Sequence, residues 1–109
     1  MIEVGSVSKF NKLMISTKDL IIIVFTSIWD KSCYKFNMEM EKIEQKYKDL
    51  KILSVNTDDT PAITKAYDIN IVPTTVFYKD NTKASNDIIG HDKIIEIEEN
   101  IKKIYNLVK

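Results

Sequence analysis

Residues 20–33 read LIIIVFTSIWDKSC, and this stretch decides the fold. Its first part, Leu20 to Thr26, is continuous, apolar and β-branched, which predicts a strand in the centre of a sheet with both faces covered. From Cys33 onward the apolar residues recur at the spacing of an amphipathic helix. These residues are Phe36, Met40, Ile43, Tyr47 and Leu50. The stretch therefore predicts a core strand followed by a long helix.

The rest of the chain alternates strand and helix patterns around this pair. Strands are predicted at Ile2 to Val4, Ile52 to Asn56, Thr74 to Tyr78 and Ser85 to Ile89, the last two joined by a turn over Lys79 to Thr82. Helices are predicted after Ser6 and Ser8 (Val7, Phe10, Leu13 and Met14), from Thr60 and Pro61 to Tyr67, and after Asp92 (Ile94, Ile97, Ile101, Tyr105 and Val108). The order β-α-β-α-β-α-β-β-α predicts an α/β fold in which helices cover both faces of a central mixed sheet. At 109 residues, we expect a single domain over residues 1–109.

The composition argues against several classes of function. The 16 basic residues are all Lys and equal the 16 acidic residues in number, and a balanced charge without Arg argues against direct binding of nucleic acid. The longest apolar run, Leu20 to Phe25, is too short to cross a membrane, so we expect a cytoplasmic protein without membrane contact. One Cys and one His exclude an intramolecular disulfide and argue against a metal site, and no pattern indicates a cofactor.

Three short motifs carry a resemblance to a known family. Trp29-Asp30-Lys31-Ser32-Cys33 stands at the junction of the core strand and the long helix, where thioredoxins have Trp-Cys-Gly-Pro-Cys. Ile71-Val72-Pro73-Thr74 resembles the thioredoxin segment in which Ile or Val precedes a cis-proline and Thr. Gly90 resembles the glycine that follows the last strand. The chain is similar to the thioredoxin family over almost its whole length, and the resemblance implies the thioredoxin fold.

The position of Trp29 sets the register of this resemblance, because in the family a Trp directly precedes the attacking cysteine. Asp30 therefore occupies the attacking position and Cys33 the resolving position. Family members attack a substrate disulfide with a thiolate, and an aspartate cannot form the mixed disulfide. Val24 and Ser54 stand where the family has a buried Asp and a Lys that assist proton transfer. The resemblance thus implies that the chain is not an ordinary dithiol-disulfide oxidoreductase.

Two residues of the first motif each have two interpretations. Asp30 is a helix N-cap that remained after loss of the catalytic role, or its carboxylate replaces the negative charge of the thiolate at the helix N-terminus. Cys33 is a structural buried thiol, or it is the reacting group of a redox protein that works with one cysteine.

The resemblance also implies a surface that binds peptides. Thioredoxins pair the backbone before the cis-proline with an extended substrate, which is a form of strand addition. By this resemblance Trp29, Val72, Pro73 and Gly90 form the docking surface. His91 follows Gly90 and is expected near its rim.

Three functions are compatible with these residues. The first is a non-dithiol binding or adaptor module that recognises extended peptide or protein segments. The second is a thiol-disulfide redox protein of cell redox homeostasis that acts through Cys33 alone, with glutathione or an intermolecular disulfide as its partner. The third is a spliceosomal thioredoxin-like protein, since that family also has Trp-Asp-x-x-Cys, although its longer C-terminal extension is missing after Lys109.

Overall fold

The computed structural model describes residues 1–17 and 19–108, with side chains through Asn106. Within these residues the strands are β1 (Ile2–Val4), β2 (Leu20–Thr26), β3 (Lys51–Asn56), β4 (Thr74–Lys79), β5 (Thr82–Lys83) and β6 (Ile88–Ile89). The helices are α1 (Val7–Ser16), α2 (Lys31–Lys46), α3 (Pro61–Ala66) and α4 (Ile94–Val108). The predicted order of elements is confirmed through β4, and the last predicted strand is replaced by β5 and β6.

The strands form one mixed sheet in the order β1-β3-β2-β4-β5, with β6 also paired to β4. β3 is parallel to both β1 and β2, whereas β4 is antiparallel to β2. β2 lies in the middle, where Ile23 pairs with Leu53 of β3 on one side and Val76 of β4 on the other. The predicted mixed sheet is confirmed. Because β1, β3 and β2 are parallel, their carboxyl ends meet at one edge of the sheet, and the candidate site lies there.

The two faces of β2 build two separate hydrophobic layers. Ile22 and Val24 belong to the cluster under α2 and α4, whereas Ile21 and Ile23 belong to the cluster under α1 and α3. All seven residues of β2 are buried. A strand covered on both faces has no need for polar residues on alternate positions, which is the physical reason that the apolar run could be interpreted as a central strand.

α2 ends about one turn earlier than its apolar pattern predicts. The helix stops at Lys46, and the N–H of Tyr47 donates to the carbonyl oxygen of Ile43 at 3.0 Å. Leu50 lies in the connection to β3, yet it is buried in the same cluster as Met40. An apolar residue in a tight turn can contribute to the core, so the apolar spacing alone overestimates the length of the helix.

The predicted cap of α1 is correct, and that of α3 is not. Ser6 caps α1, because its Oγ accepts the N–H of Lys9 at 3.1 Å. The predicted cap hydroxyl at Thr60 is wrong, since the Thr60 hydroxyl donates to the carbonyl oxygen of Asn56 at 2.9 Å instead. Pro61 does occupy the start of α3, where its missing N–H costs no helical hydrogen bond.

The predicted cap of the last helix at Asp92 is also wrong. α4 begins at Ile94, and the N–H of Ile97 donates to the carbonyl oxygen of Lys93 at 2.9 Å. Lys93 therefore occupies the cap position just before the helix, and Asp92 precedes that cap position by one residue.

The apolar stripe of α4 is confirmed in its first three turns. The buried residues of this helix are Ile97, Ile101 and Ile104. Tyr105 is half-buried, and its hydroxyl donates to Oδ2 of Asp49 at 2.8 Å. The predicted contribution of Val108 lies outside the described side chains. Within the described residues, none of the helices combines the length and apolar character needed to cross a membrane.

The predicted return strand Ser85 to Ile89 is wrong in its extent. Asp80 and Asn81 have positive φ angles of 52° and 61°, and this two-residue turn brings β5 back along the end of β4. Only Ile88–Ile89, which is β6, pairs with the start of β4. Residues 85–87 leave the sheet between the two short strands. The tight turn at Asp80–Asn81 therefore starts the return strand at Thr82, three residues before the predicted start at Ser85.

Candidate functional site

Asp30 begins α2 at the carboxyl end of β2. Its Oδ1 accepts the N–H of Ser32 at 2.9 Å and the hydroxyl of Ser32 at 2.6 Å. These two hydrogen bonds lower the pKa of the Asp30 carboxyl below its ordinary value and outweigh the opposing effect of desolvation, and the nearby His91 lowers it further. The N-cap interpretation is confirmed in geometry, and the cap carries a negative charge at neutral pH.

Cys33 lies in the first turn of α2, but its side chain is only 2% exposed. Burial raises the pKa of the Cys33 thiol, and the Asp30 carboxylate raises it further. The backbone N–H of Ser27 and the hydroxyl of Ser32 act in the opposite direction without cancelling the rise. The thiol is therefore protonated near neutral pH and shielded from solvent, which is typical of a structural cysteine.

The layer under this turn is apolar around Val24. Val24 is fully buried in the apolar cluster that also contains Ile22 and Phe36. It pairs across the sheet with Ser54 on β3 and with Thr75 on β4. At the two positions where the resemblance implies an Asp and a Lys, the structure thus has a buried apolar side chain and a serine hydroxyl.

The loop between β2 and α2 presents apolar side chains to solvent. Trp29 is 80% exposed, and Ile28 beside it is 74% exposed. The backbone N–H of Trp29 donates to Oγ of Ser27 at 3.2 Å, and the Ser27 hydroxyl donates to Oδ2 of Asp58 at 2.7 Å. The loop is thus hydrogen-bonded to the segment after β3 while its two large side chains point outward. Burial does not explain why this surface is apolar.

The second predicted motif lies at the start of β4. The Val72–Pro73 peptide bond is cis, Pro73 is buried, and Val72 is half-buried. Within residues 1–17 and 19–108, neither the N–H nor the carbonyl oxygen of Val72 has a hydrogen-bond partner. Ile71, just before it, is 56% exposed. An unpaired main-chain segment beside an exposed apolar side chain and directly before a strand offers a free edge for pairing.

Gly90 is hydrogen-bonded to the segment that contains the cis-proline. Its N–H donates to the carbonyl oxygen of Pro73 at 3.0 Å, and the neighbouring Ile89 pairs with Thr74. Gly90 has a φ of 124°, and a Cβ atom at this position would lie 3.0 Å from a carboxylate oxygen of Asp92. A residue with a side chain would be strained here, so glycine keeps the backbone close to Pro73.

The structure brings some of the predicted site residues together directly. Pro73 and Gly90 share a hydrogen bond, and the exposed His91 is close enough to Asp30 to lower the pKa of its carboxyl. Trp29 is held by Ser27 and Asp58 rather than by another predicted residue.

Sequence reasoning assigned no role to several participants in this site. They are Ser27, Ser32, Asp58, Ile28, Ile71 and Ile89. The available signals were a serine two residues after an N-cap Asp and, for Ile28 and Ile71, large apolar residues outside every predicted strand and helix. In the part of the chain that the structure describes, no three His, Cys, Asp or Glu side chains are grouped so that they could hold a metal ion.

Known proteins are similar to this chain in sequence and in fold. The thioredoxin family model matches residues 2–103 of the chain. The chain is 29% identical to a thioredoxin from Ophiophagus hannah over 101 residues, which are 92% of this chain and 94% of that protein. It is 27% identical to glutaredoxin-3 from Mus musculus over 84 residues, which are 76% of this chain. The chain spans only 25% of the length of that glutaredoxin-3.

The backbone is similar to that of solved thioredoxin structures. The thioredoxin from Trypanosoma brucei brucei gives a TM-score of 0.89 at 23% identity, covering 97% of this chain and 91% of that one. The Fasciola hepatica thioredoxin gives 0.87 at 20% identity, covering 94% and 98%. These likenesses establish the thioredoxin fold predicted from the sequence. With the family model matched over residues 2–103, the chain belongs to the thioredoxin family.

Proposed function

We propose that this chain is a non-dithiol binding or adaptor module that recognises extended peptide or protein segments. The observation that carries the proposal is the main chain of Val72, which has no hydrogen-bond partner within the described residues. It lies between exposed Ile71 and buried Pro73, and Pro73 is hydrogen-bonded to Gly90. An extended segment placed along Val72 can pair with this N–H and carbonyl oxygen and continue the sheet.

Exposed apolar side chains next to the motif residues would supply the apolar contact that main-chain pairing needs. Trp29, Ile28, Ile71 and Ile89 are each about half exposed or more. Large aromatic side chains contribute strongly when a partner covers them, because they bury much apolar area with little loss of rotamer freedom. We therefore assign Trp29 the role of the main anchor and Val72, Pro73 and Gly90 that of the backbone platform.

The chemistry of the β2–α2 junction favours binding without dithiol exchange. A carboxylate at position 30 cannot form a mixed disulfide with a substrate, and it is already hydrogen-bonded to Ser32. The Cys33 thiol is buried and protonated, so it contributes no exposed thiolate. A bound segment would neither be reduced nor trapped.

The decisive experiment separates strand addition from other modes of binding. Cysteine-free linear 12-residue peptides are selected from a random library on the immobilised chain, and the Kd of each labelled peptide is measured by fluorescence anisotropy. The peptide amide nitrogens are then methylated one at a time. Binding should be lost when the methylated nitrogen belongs to the residue that pairs with Val72, and should change little when it belongs to the following residue of the peptide. A peptide that tolerates every N-methyl group would contradict strand addition.

Three variants test which residues are needed. Cys33→Ser should leave the Kd unchanged, because no sulfur chemistry is involved. Trp29→Ala should weaken binding strongly, whereas Ile15→Ala, at a residue that is 70% exposed on α1, should not. Loss of peptide binding in Cys33→Ser would reject the proposal.

A single-cysteine redox role through Cys33 is the second candidate. One observation favours it, because the Ser27 N–H and the Ser32 hydroxyl both lower the pKa of the Cys33 thiol. In this reaction the Cys33 thiolate attacks oxidised glutathione, a protein–glutathione disulfide forms, and a glutathione thiolate leaves. Mass spectrometry after incubation with oxidised glutathione under native conditions tests it: an unmodified chain eliminates this role. A cytoplasmic location and the spliceosomal alternative stay predictions.

A further inference from the structure

A cleft of about 280 Å³ lies between α1 and α3, on the face of the sheet opposite α2 and α4. β1 and β3 are parallel neighbours, so the helices that follow them, α1 and α3, both begin at the same edge of the sheet. Within residues 1–17 and 19–108 no hydrogen bond or ion pair joins α1 to α3, whereas Lys46 of α2 pairs with Glu98 of α4 at 2.8 Å. The α1–α3 face therefore keeps an opening that direct contacts close on the other face.

The floor of the cleft is apolar and largely aromatic. Phe10 of α1 and Ile63 of α3 are buried in the cluster under these helices, and Tyr67 packs against that cluster just after α3. The rings of Phe10 and Tyr67 meet edge to face, with centroids 5.7 Å apart and an interplanar angle of 86°. Tyr67 also contacts the rings of Phe25 and Tyr78. A further ring in the cleft would extend this cluster, since aromatic rings favour edge-to-face and offset contacts.

The walls of the cleft are formed by small or uncharged side chains. α3 contributes Ala62 and Ala66, which lie one helical turn apart and are both exposed. α1 contributes Val7, which is 45% exposed, and the exposed Asn11. Two alanines at this spacing leave space that larger side chains would fill. The width of the opening is thus set by residue size, and the Asn11 amide gives its rim one polar group.

The lining of the cleft carries no charge among the described residues, although 29% of the residues of the chain are charged. Burial raises the pKa of the Tyr67 hydroxyl, and the neighbouring Tyr78 raises it further, so the floor stays neutral. An ion placed in the cleft would lose water without gaining a partner of opposite charge. The electrostatics of the cleft therefore favour a neutral ligand.

We infer that this cleft binds a small, neutral aromatic molecule of one or two rings. The ring of the ligand lies against Phe10 and Tyr67, and its polar group stays at the rim beside Asn11. Pockets for drug-sized ligands measure about 300–1,000 Å³, so a cleft of about 280 Å³ suits a smaller molecule. None of the lining residues belongs to the proposed docking surface, so the inference goes beyond the proposed function and does not depend on it.

The experiment is an NMR titration of the ¹⁵N- and ¹³C-methyl-labelled chain with benzyl alcohol at constant ionic strength. Saturable shifts at Val7, Ile63 and Ala66, with a Kd in the millimolar range, are expected for a ligand of this size. Three probes of matched shape separate the contributions: benzoate is an anion, benzylammonium is a cation, and cyclohexylmethanol is neutral without an aromatic ring. The two ions should bind at least about tenfold more weakly than benzyl alcohol. Cyclohexylmethanol should bind a few-fold more weakly.

Substitutions at exposed positions of the cleft test the site without changing the core. Ala66→Leu places a larger side chain in the cleft and should weaken benzyl alcohol binding at least about tenfold. The matched control is Lys65→Leu, which adds the same side chain at the neighbouring exposed position outside the cleft and should leave the Kd unchanged. Asn11→Lys places a positive charge at the rim and should make benzoate bind a few-fold more tightly than to the parent. This variant keeps the test valid if Ala66→Leu does not fold.

Four results would overturn the inference. Benzoate or benzylammonium binding as tightly as benzyl alcohol would mean that the cleft does not select a neutral ligand. Benzyl alcohol shifts that persist unchanged in Ala66→Leu would place the probe elsewhere. Absence of saturable shifts at the lining residues would mean that the cleft is only a surface groove. Shifts of Val7 and Ala66 that depend on protein concentration without any probe would mean that a second copy of the chain covers the cleft.

A separate readout distinguishes this inference from the proposed function. The Kd of a peptide selected on the docking surface should be the same for Ala66→Leu and for the parent chain. Trp29→Ala should likewise leave the Kd of benzyl alcohol unchanged, so that failure of one proposal is visible without failure of the other.

Discussion

Trp29 and Cys33 are four residues apart, and their environments are opposite. The Trp29 side chain is 80% exposed on a loop fixed by Ser27 and Asp58, whereas the Cys33 side chain is 2% exposed inside the first turn of α2. The outer region also has the unpaired main chain of Val72, and the inner region has the fully buried Val24. The outer region leaves apolar surface exposed, as the proposed docking surface requires, whereas the inner region is packed in the core.

This difference separates two properties that are joined in dithiol members of the family. Recognition needs exposed apolar area and a free strand edge, and both are present around Trp29 and Val72. Exchange needs an exposed thiolate and a group that handles its proton, and neither is present at Cys33 or Val24. The following predictions test how independent the two regions are.

The largest expected effect comes from placing a carboxyl group in the inner region. Val24→Asp should lower the free energy of unfolding at pH 7 by about 3–5 kcal/mol, because the charge is buried among Ile22 and Phe36 without a cation. Burial raises the pKa of such a carboxyl, so the folded state holds the proton and the loss should shrink as the pH is lowered toward 5. Urea unfolding at several pH values measures it.

The matched control is Val24→Thr, which keeps the shape and replaces one methyl group by a hydroxyl. It should cost about 1–2 kcal/mol without a dependence on pH. A Val24→Asp variant that is as stable as Val24→Thr at pH 7 would mean that the inner layer tolerates charge.

The second largest effect concerns the outer region. Trp29→Ala should raise the Kd of a selected extended peptide about 30-fold, which corresponds to about 2 kcal/mol. The same substitution should change the free energy of unfolding by less than about 0.5 kcal/mol, because the side chain is mostly exposed. Anisotropy and urea unfolding of the same variant give both numbers. A large loss of stability would show that Trp29 belongs to the core and not to the binding surface.

The third prediction concerns the reactivity of Cys33. In the native chain at pH 7.5, alkylation by iodoacetamide should be at least about tenfold slower than in the unfolded chain, because a buried thiol reacts after local opening. Asp30→Asn removes a charge that raises the pKa of the thiol and should speed the reaction. Ser32→Ala removes a hydroxyl that lowers the pKa of the thiol and should slow it. Mass spectrometry over time gives the rates; identical rates in both variants would contradict the electrostatic assignment.

The smallest effect is the pH dependence of the Asp30 cap. The folded-state pKa of Asp30 lies below its ordinary value of 3.8, so the ionised cap stabilises the fold fully above pH 3.8. This stabilisation is lost as the pH falls through the folded-state pKa. The stability difference between the parent and Asp30→Asn should therefore be constant from pH 5 to 7 and shrink below pH 3.8. A difference that grows on acidification would mean that the carboxylate is destabilising.

Local patterns predicted the elements that depend on neighbours in sequence. The apolar run of residues 20–26 became the central strand, and Ser6 and Asp30 became caps because a cap needs only a side chain within reach of the next turn. The failures lie where the decision is not local. Thr60 bonds back to Asn56, Leu50 reaches the core from a turn, and the Asp80–Asn81 turn sets the pairing of the last strands.

The sequence by itself determined the family and the presence of a single cysteine, because each of these is a matter of residue type. The register of the Trp29 motif, which places Asp30 at the attacking position, stays a prediction. The tertiary structure alone decided that Cys33 is buried while Trp29 is exposed. It also decided that Val72 keeps an unpaired edge and that a cleft stays open between α1 and α3. These features join segments that are distant along the chain. Exposure and proximity arise only when the parallel strands bring their carboxyl ends together.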